Sequence, residues 1–234
     1  LERNTTVTKL NLAGNAMERL SGEAFGRALL VNTTLESLDL YYNSLRDDGG
    51  LPIARALRTN TTLTSLNINS NSLSGEFGVA IAAVLETNTT LTYLNLNYNR
   101  LEDVGGMPIA RALETNTTLT ALSVNENRLG QACGIAFAGA LERNTTLTSL
   151  DVSLNMFDTR CGDAFADALN TNTTLVTLHL TRTDMSEAAK QRIKELLDGR
   201  EAPEVYDGPR VKAVVAPIPR GVKRKSSDLH LLLL

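Results

Sequence analysis

The chain has 234 residues, of which 42% are hydrophobic and only 4% aromatic, so its core must be mostly aliphatic. The net charge of −3 argues against general nucleic-acid binding, and the hydrophobic fraction excludes disorder throughout the chain. No apolar run approaches the roughly 20 residues that a membrane-spanning helix needs, and two Cys cannot form a disulfide scaffold.

An internal period organises the sequence from its first residues onward. The chain matches itself, without insertion or deletion, when it is shifted so that Val7 falls on Leu35. Seven copies of the pattern LxxLxLxxNxL begin at Val7, Leu35, Leu63, Leu91, Leu119, Leu147 and Leu175, and the last copy has Thr183 in place of Asn. A fixed period of this kind is the signature of a repeat architecture.

Each copy predicts one short strand followed by one helix. In the second copy, Leu38 and Leu40 alternate with Asp39 and Tyr41, as expected for a strand with one buried face. Later in the same copy, apolar residues recur with the i, i+3, i+4 spacing of a helix face. A column of glycines is interpreted as preceding the helices: Gly22, Gly50, Gly78, Gly106, Gly134 and Gly162.

Two repeats carry an additional motif. The second and fourth copies both contain GGxPIARAL, which begins at Gly49 and again at Gly105, and this indicates a two-repeat unit. Pro52 and Pro108 within this motif are expected near the first helical turn, where a missing N–H is tolerated. Phe77 is expected just before a helix.

These motifs resemble the leucine-rich repeat, and the 28-residue length with a full helix resembles its ribonuclease-inhibitor-like subclass. Ran GTPase-activating proteins and NOD-like receptors contain repeats of this subclass. The resemblance covers residues 1–200. It implies an α/β right-handed solenoid, or horseshoe, with a parallel β-sheet on the concave side and α-helices on the convex side.

The two ends of the chain differ from the repeats between them. Leu1 to Thr6 match the end of a repeat, so we expect the natural chain to continue N-terminally or a partner to cover this end. At the other end, Ser186 is a predicted helix N-cap of the seventh repeat. Residues 201–234 read as an extended Pro-containing tail whose six basic and four acidic residues give a charge of +2.

The tail carries a basic motif, Lys223-Arg224-Lys225-Ser226-Ser227. This motif makes Ser226 a candidate phosphorylation site. A nuclear-import signal or a patch for an acidic partner fits the same residues. The tail is therefore expected to add a second protein contact.

Two sets of Asn recur with the repeat. The Asn of the LxxLxLxxNxL pattern is predicted to satisfy backbone groups where the chain leaves each strand. A second set belongs to Asn-Thr-Thr triplets at Asn4, Asn32, Asn60, Asn88, Asn116, Asn144 and Asn172. These triplets match the glycosylation pattern. A structural role is favoured, with Asn in a left-handed position after each helix and Thr bonding to nearby backbone.

The two cysteines and the few histidines offer little chemistry. Cys133 and Cys161 recur with the repeat, so they occupy equivalent places on adjacent helices. Packed helices are about 8–10 Å apart, which exceeds the reach of a disulfide, so free thiols and a cytoplasmic location are expected. Neither a metal site nor a phosphate-binding loop is recognised, and no cofactor or enzymatic activity is predicted.

The concave face is the predicted binding site. Four of the five tyrosines fall on the second and fourth repeats, around asparagines of the neighbouring strands. Tyr provides a large amphipathic contact area and is enriched in binding hot spots. The candidate partner-binding residues are Tyr41, Tyr42, Asn67, Asn69, Tyr93, Asn95, Asn97 and Tyr98.

The sequence therefore predicts a protein–protein interaction scaffold or adaptor without enzymatic activity. A cytoskeletal or axonemal assembly suits such a scaffold. The resemblance leaves two alternatives open: a regulator of a small GTPase, as in Ran GTPase-activating proteins, and the ligand-sensing repeats of a NOD-like receptor.

Overall fold

The computed structural model of the protein describes residues 1–201. The predicted tail, with Ser226 and its basic neighbours, lies outside the described residues. Seven strands alternate with seven helices in the described range. The strands β1 to β7 are Lys9–Asn11, Ser37–Asp39, Ser65–Asn67, Tyr93–Asn95, Ala121–Ser123, Ser149–Asp151 and Thr177–His179. The helices α1 to α7 are Arg19–Val31, Arg46–Leu57, Gly75–Leu85, Glu102–Leu113, Gln131–Leu141, Thr159–Leu169 and Glu187–Leu197.

The strands form one open parallel sheet in chain order, β1 to β7. Each pairing joins equivalent residues of consecutive repeats, as in Leu10 with Leu38 and Leu38 with Leu66. Neighbouring parallel strands need a crossover connection, and one helix supplies it in every repeat. The result is the predicted α/β leucine-rich-repeat solenoid, with the sheet on its concave side.

One continuous aliphatic core fills the space between sheet and helices. The central strand residues Leu38, Leu66 and Leu94 are at most 1% exposed. Phe77 is fully buried inside α3, so its predicted position before a helix was wrong. Cys133 and Cys161 are buried free thiols, as predicted. Burial raises the pKa of both thiols, that of Cys161 to about 11.

Buried Asn side chains join consecutive repeats where the chain leaves the strands. Asn155 illustrates the arrangement: its Oδ1 accepts from the N–H groups of Asn127 and Leu129, each at 3.0 Å. Its Nδ2 donates to the carbonyls of Val124 and Val152, also at 3.0 Å. Asn43 and Asn99 make the same set of bonds in earlier repeats. The predicted role of this Asn column is confirmed.

The Asn-Thr-Thr triplets form a second set of such links after the helices. Asn88 donates to the carbonyls of Leu57 and Asn60 at 2.8 and 3.1 Å, and its Oδ1 accepts from the N–H of Leu91 at 2.8 Å. The prediction of a left-handed Asn was wrong, because no triplet Asn has a positive φ, and the φ of Asn32 is −77°. The side-chain amide, rather than the backbone conformation, therefore accounts for Asn at this position.

The glycine column lies inside the helices, so the interpretation that it precedes them was wrong. These glycines allow neighbouring helices to approach. A Cβ at Gly78 would lie 2.4 Å from the Cα of Gly105, and one at Gly22 would lie 2.2 Å from the carbonyl oxygen of Gly49. Because α1 contacts α2 and α3 contacts α4 through paired glycines, the helices pack in a two-repeat alternation.

The helices also begin earlier than predicted. Pro52 lies well inside α2, which begins at Arg46, so its predicted position in the first turn was wrong. Pro108 has the same position in α4. In α7, by contrast, the predicted N-cap is confirmed, since the Ser186 hydroxyl accepts from the N–H of Ala189 at 3.1 Å.

The Asn column predicts a large effect of a single amide. Asn155→Ala leaves the buried N–H groups of Asn127 and Leu129 without acceptors, at a cost of about 1–3 kcal/mol for each unsatisfied group. We expect urea unfolding to show a loss of about 2–4 kcal/mol. Asn15→Ala is the matched control, because Asn15 is exposed and water replaces its bonds. Equal losses in both variants would contradict the explanation.

The glycine contacts predict opposite effects at two helical positions. Gly78→Ala places a methyl group against the backbone of Gly105, which cannot rotate away, and we expect a loss of about 1–3 kcal/mol. Gly139→Ala is the control in α5, where the new Cβ meets nothing within 4 Å. Here we expect a gain of about 0.5–1 kcal/mol from helix propensity. Thermal unfolding of both variants checks the sign.

Candidate partner-binding face

The structure brings the eight predicted residues together across neighbouring strands of the concave side. We call these residues the tyrosine–asparagine face. Three of them, Asn67, Tyr93 and Asn95, lie in the strands β3 and β4. The other five follow the strands β2, β3 and β4 in the chain: Tyr41, Tyr42, Asn69, Asn97 and Tyr98. Successive repeats place equivalent residues of this set side by side.

Two tyrosines project from the loops that follow the strands. Tyr42 is 58% exposed and Tyr98 is 44% exposed. Both have a left-handed backbone, with φ of 54° and 51°, which is strained for a bulky residue. Their N–H groups hold this geometry by donating to the next repeat, Tyr42 to the carbonyl of Asn69 and Tyr98 to that of Asn125.

The sequence contained an unused signal for this loop geometry. Gly14 occupies the equivalent place in the first repeat and has a φ of 71°. Glycine is the residue that adopts this region without cost. A repeat alignment that includes Gly14 therefore predicts a left-handed residue at Tyr42 and Tyr98.

Asp39 lies at the centre of the face, although it was not among the predicted site residues. Its Oδ1 accepts from the N–H of Tyr41 at 2.9 Å and from Nδ2 of Asn67 at 3.0 Å. Burial raises the pKa of Asp39 above its ordinary value, and these two hydrogen bonds oppose the shift. No ion pair of residues 1–201 includes this carboxylate.

Two tyrosines, Tyr41 and Tyr93, interact electrostatically with this carboxylate. The rings of Tyr41 and Tyr42 have centroids 5.9 Å apart and are inclined by 45°. Burial is the largest cause that raises the pKa of Tyr41, followed by Tyr42, Tyr98 and Asp39. Burial and Asp39 also raise the pKa of Tyr93, while a hydrogen bond from Asn95 lowers it. The phenol of Tyr41 is consequently neutral near pH 7 and can donate a hydrogen bond.

The asparagines hold the backbone rather than facing solvent freely. Asn67 is only 8% exposed, and its Oδ1 accepts from the N–H of Asn69 at 3.2 Å. Asn95 accepts from the N–H of Asn97 at 3.0 Å in the same way. The amide of Asn95 also donates to the Tyr93 hydroxyl at 3.4 Å. The amides therefore position the loops, and the rings provide most of the contact area.

A further polar atom was missed in the sequence. Oδ1 of Asn125 is buried and makes no hydrogen bond with the described residues. Asn125 follows β5, and its N–H donates to Oδ1 of Asn97 at 2.8 Å. Asn125 has the same position in its repeat as Asn69 and Asn97, and this equivalence is the sequence signal that would have added it to the face.

The chain belongs to the leucine-rich repeat family. The sequence model of that family, described as Leucine Rich repeat, matches more than half of the chain. The matched segments are residues 3–26, 31–54, 59–82, 87–110, 115–138 and 143–160. No curated protein matches the sequence.

Two solved structures are similar to this fold. One is "Leiomodin-1 Actin-Binding Site 2 (ABS2)", with a TM-score of 0.56 and 25% identity over 64% of this chain and 87% of that chain. The other is the Caenorhabditis elegans tropomodulin C-terminal domain, with a TM-score of 0.56 and 17% identity over 62% and 88% of the two chains. Within residues 1–201, no helix has the length and apolar character needed to cross a membrane.

The raised pKa of Asp39 predicts how its replacement depends on pH. The folded protein binds the proton of the Asp39 carboxyl group more tightly than the unfolded chain does. Protonated Asp39 therefore contributes stability below the ordinary pKa of 3.8, and this contribution is lost as the pH rises through the higher pKa of the folded state. Asp39→Asn keeps an oxygen for Tyr41 and Asn67 but carries no charge. We expect this variant to be more stable than wild type near pH 7.

Urea unfolding at two pH values measures this effect. The advantage of Asp39→Asn should disappear near pH 3, where the wild-type carboxyl group is protonated in both states. An advantage that is larger near pH 3 than near pH 7 would contradict the assigned cause.

Proposed function

We propose that the protein is a scaffold without enzymatic activity that binds a protein partner on its tyrosine–asparagine face. The observation that carries the proposal is the pair of Tyr41 and Tyr42 rings next to Asp39, whose Oδ1 accepts from the N–H of Tyr41 and from the amide of Asn67 in the next repeat. Rings that are ordered before binding lose little conformational entropy when a partner arrives. Each repeat buries one side against its neighbours, so the strand surface is available for recognition.

We further propose that the repeats belong to the ribonuclease-inhibitor-like subclass. Support comes from the strand register, which pairs each residue with its equivalent one full repeat later, as in Lys9 with Ser37 and Ser149 with Thr177. A helix of 11 to 13 residues in every repeat supports it as well. In this proposal residues 1–200 form the recognition module, and the tail of residues 201–234 supplies a second contact. Neither the GTPase-regulating alternative nor the ligand-sensing one gains a residue-level feature from residues 1–201.

The proposed partner is cytoskeletal, and actin is the first candidate. Support comes from the similarity to the leiomodin-1 domain, whose name describes an actin-binding site. The proposed location is the cytoplasm. The two buried free thiols agree with a reducing compartment.

Actin binding tests the partner and the face together. We expect the protein to bind filamentous or monomeric actin, measured by co-sedimentation and by sedimentation velocity. The double variant Tyr41→Ala/Tyr93→Ala removes two rings of the face and should weaken binding about tenfold or more, as expected for hot-spot aromatics. The control Arg55→Ala/Arg111→Ala alters exposed residues of the convex helices and should leave affinity unchanged.

The two parts of the proposal fail separately. If the protein binds neither form of actin, the assignment of the partner is wrong. If the double tyrosine variant binds as tightly as wild type, the tyrosine–asparagine face is not the binding surface.

A further inference from the structure

The centre of the tyrosine–asparagine face carries a negative charge, and no cation of residues 1–201 forms an ion pair with it. Both hydrogen bonds to the Asp39 carboxylate end on Oδ1. The hydrogen bonds of residues 1–201 leave Oδ2 of Asp39 unused, and the ion pairs of the same range do not include Asp39. An anion in partly buried surroundings gains more from a nearby cation than one in water, because the local dielectric constant is lower.

The neighbouring strands do not supply that cation. Residues 37–42, 65–70, 93–98 and 121–126 form the concave surface of four consecutive repeats, and their only charged members are Asp39 and Glu126. Lys9 lies on the edge strand β1 in register with Ser37, and it forms no ion pair with Asp39. The charged side chains of this part of the concave surface are therefore all acidic.

The ring pair next to Asp39 is suited to a cation. Tyr41 and Tyr42 form a wedge with centroids 5.9 Å apart and an angle of 45° between their planes. Tyr98 interacts electrostatically with the Tyr41 hydroxyl, but it also interacts with Glu126, Asp151 and Arg182 of later repeats and is therefore not counted in this wedge. The face of an aromatic ring attracts ammonium and guanidinium groups within about 6 Å of its centroid.

We propose that Asp39, Tyr41 and Tyr42 form a binding site for a basic side chain, lysine or arginine, that projects from the partner protein. The cation pairs with Oδ2 of Asp39 and contacts the tyrosine rings. This inference rests on the proposed binding face, and it names the chemistry of the group that the face recognises.

The chain contains its own comparison for this site. Asp151 has the equivalent position on β6, and its Oδ1 accepts from the N–H of Ser153 at 2.9 Å, as Asp39 does from Tyr41. Ser153 and Leu154 replace the two tyrosines there. Tyr98 interacts electrostatically with Asp151, but the wedge of Tyr41 and Tyr42 has no counterpart there, so Asp151 is a matched control for that wedge.

A pair of short peptides tests the site directly. The probe is acetyl-Gly-Lys-Gly-amide, and acetyl-Gly-Gln-Gly-amide is the neutral control. Ring resonances of ¹³C-labelled tyrosine report binding to the full chain by NMR. We expect saturable shifts of the Tyr41 and Tyr42 rings with the Lys peptide, and no saturable shift with the Gln peptide.

Variants separate the specific site from general attraction to an acidic surface. Asp39→Asn and Tyr41→Leu/Tyr42→Leu should each weaken binding of the Lys peptide about fivefold or more, whereas Asp151→Asn should leave it unchanged. Urea unfolding confirms that each variant is folded at the titration temperature. Similar responses to both peptides, or equal losses in Asp39→Asn and Asp151→Asn, would overturn the proposal.

The outcome is distinguishable from that of the actin experiment. If Tyr41→Ala/Tyr93→Ala loses actin but wild type does not bind the Lys peptide, the face is correct and the cation site is wrong. If the Lys peptide binds through Asp39 while actin does not bind, the cation site is correct and the proposed partner is wrong.

Discussion

The fold depends on side-chain amides that bond across the boundary between repeats. A strand of three residues has few backbone partners of its own, and the turns on either side bury carbonyl and N–H groups that water cannot reach. Asn155 satisfies such groups in two repeats at once, and Asn88 does the same after a helix. An apolar residue would fill either place and leave these groups unsatisfied. The leucines supply most of the hydrophobic free energy, while the amides fix the stacking of one repeat on the next.

This stacking explains how strained residues are held on the concave side. Tyr42 and Tyr98 keep a left-handed backbone because each N–H is bound to a carbonyl of the following repeat. A conformation of this kind costs about 1–3 kcal/mol and persists only where surrounding structure determines it. The array determines it through a fixed register, in which every strand residue pairs with its equivalent in the next repeat. Rigid repeats therefore position exposed rings that an isolated loop could not hold in one conformation.

Periodicity made most of the fold predictable, since each strand, helix and Asn column follows from alignment of the copies. The errors came from reading local residue types without their neighbours. Glycine before a helical pattern resembles a breaker, but Gly78 is a contact point between helices, and this depends on Gly105 in the next repeat. Asp39 was missed for a similar reason. Its column mixes Asp with Asn, and the lack of a cation among the neighbouring strands becomes visible only when all of them are in place.

The fold needs a hydrogen-bond acceptor at Asp39, whereas the negative charge of Asp39 is an additional property of the face. The hydrogen bonds to Tyr41 and Asn67 require an oxygen at this position, and an amide would supply it. The negative charge strengthens these two bonds, but burial costs more, so the charge is unfavourable on balance. The left-handed backbone, by contrast, recurs at the equivalent residue of other repeats, such as Ser70, Glu126 and Leu154, so this strain belongs to the scaffold. The charge is not part of that pattern, because the residues equivalent to Asp39 on β3 and β4 are Asn67 and Asn95. The repeat architecture therefore accounts for the strained backbone of Tyr42 and Tyr98, but it does not account for the charge at Asp39, whose cost the surrounding repeats offset.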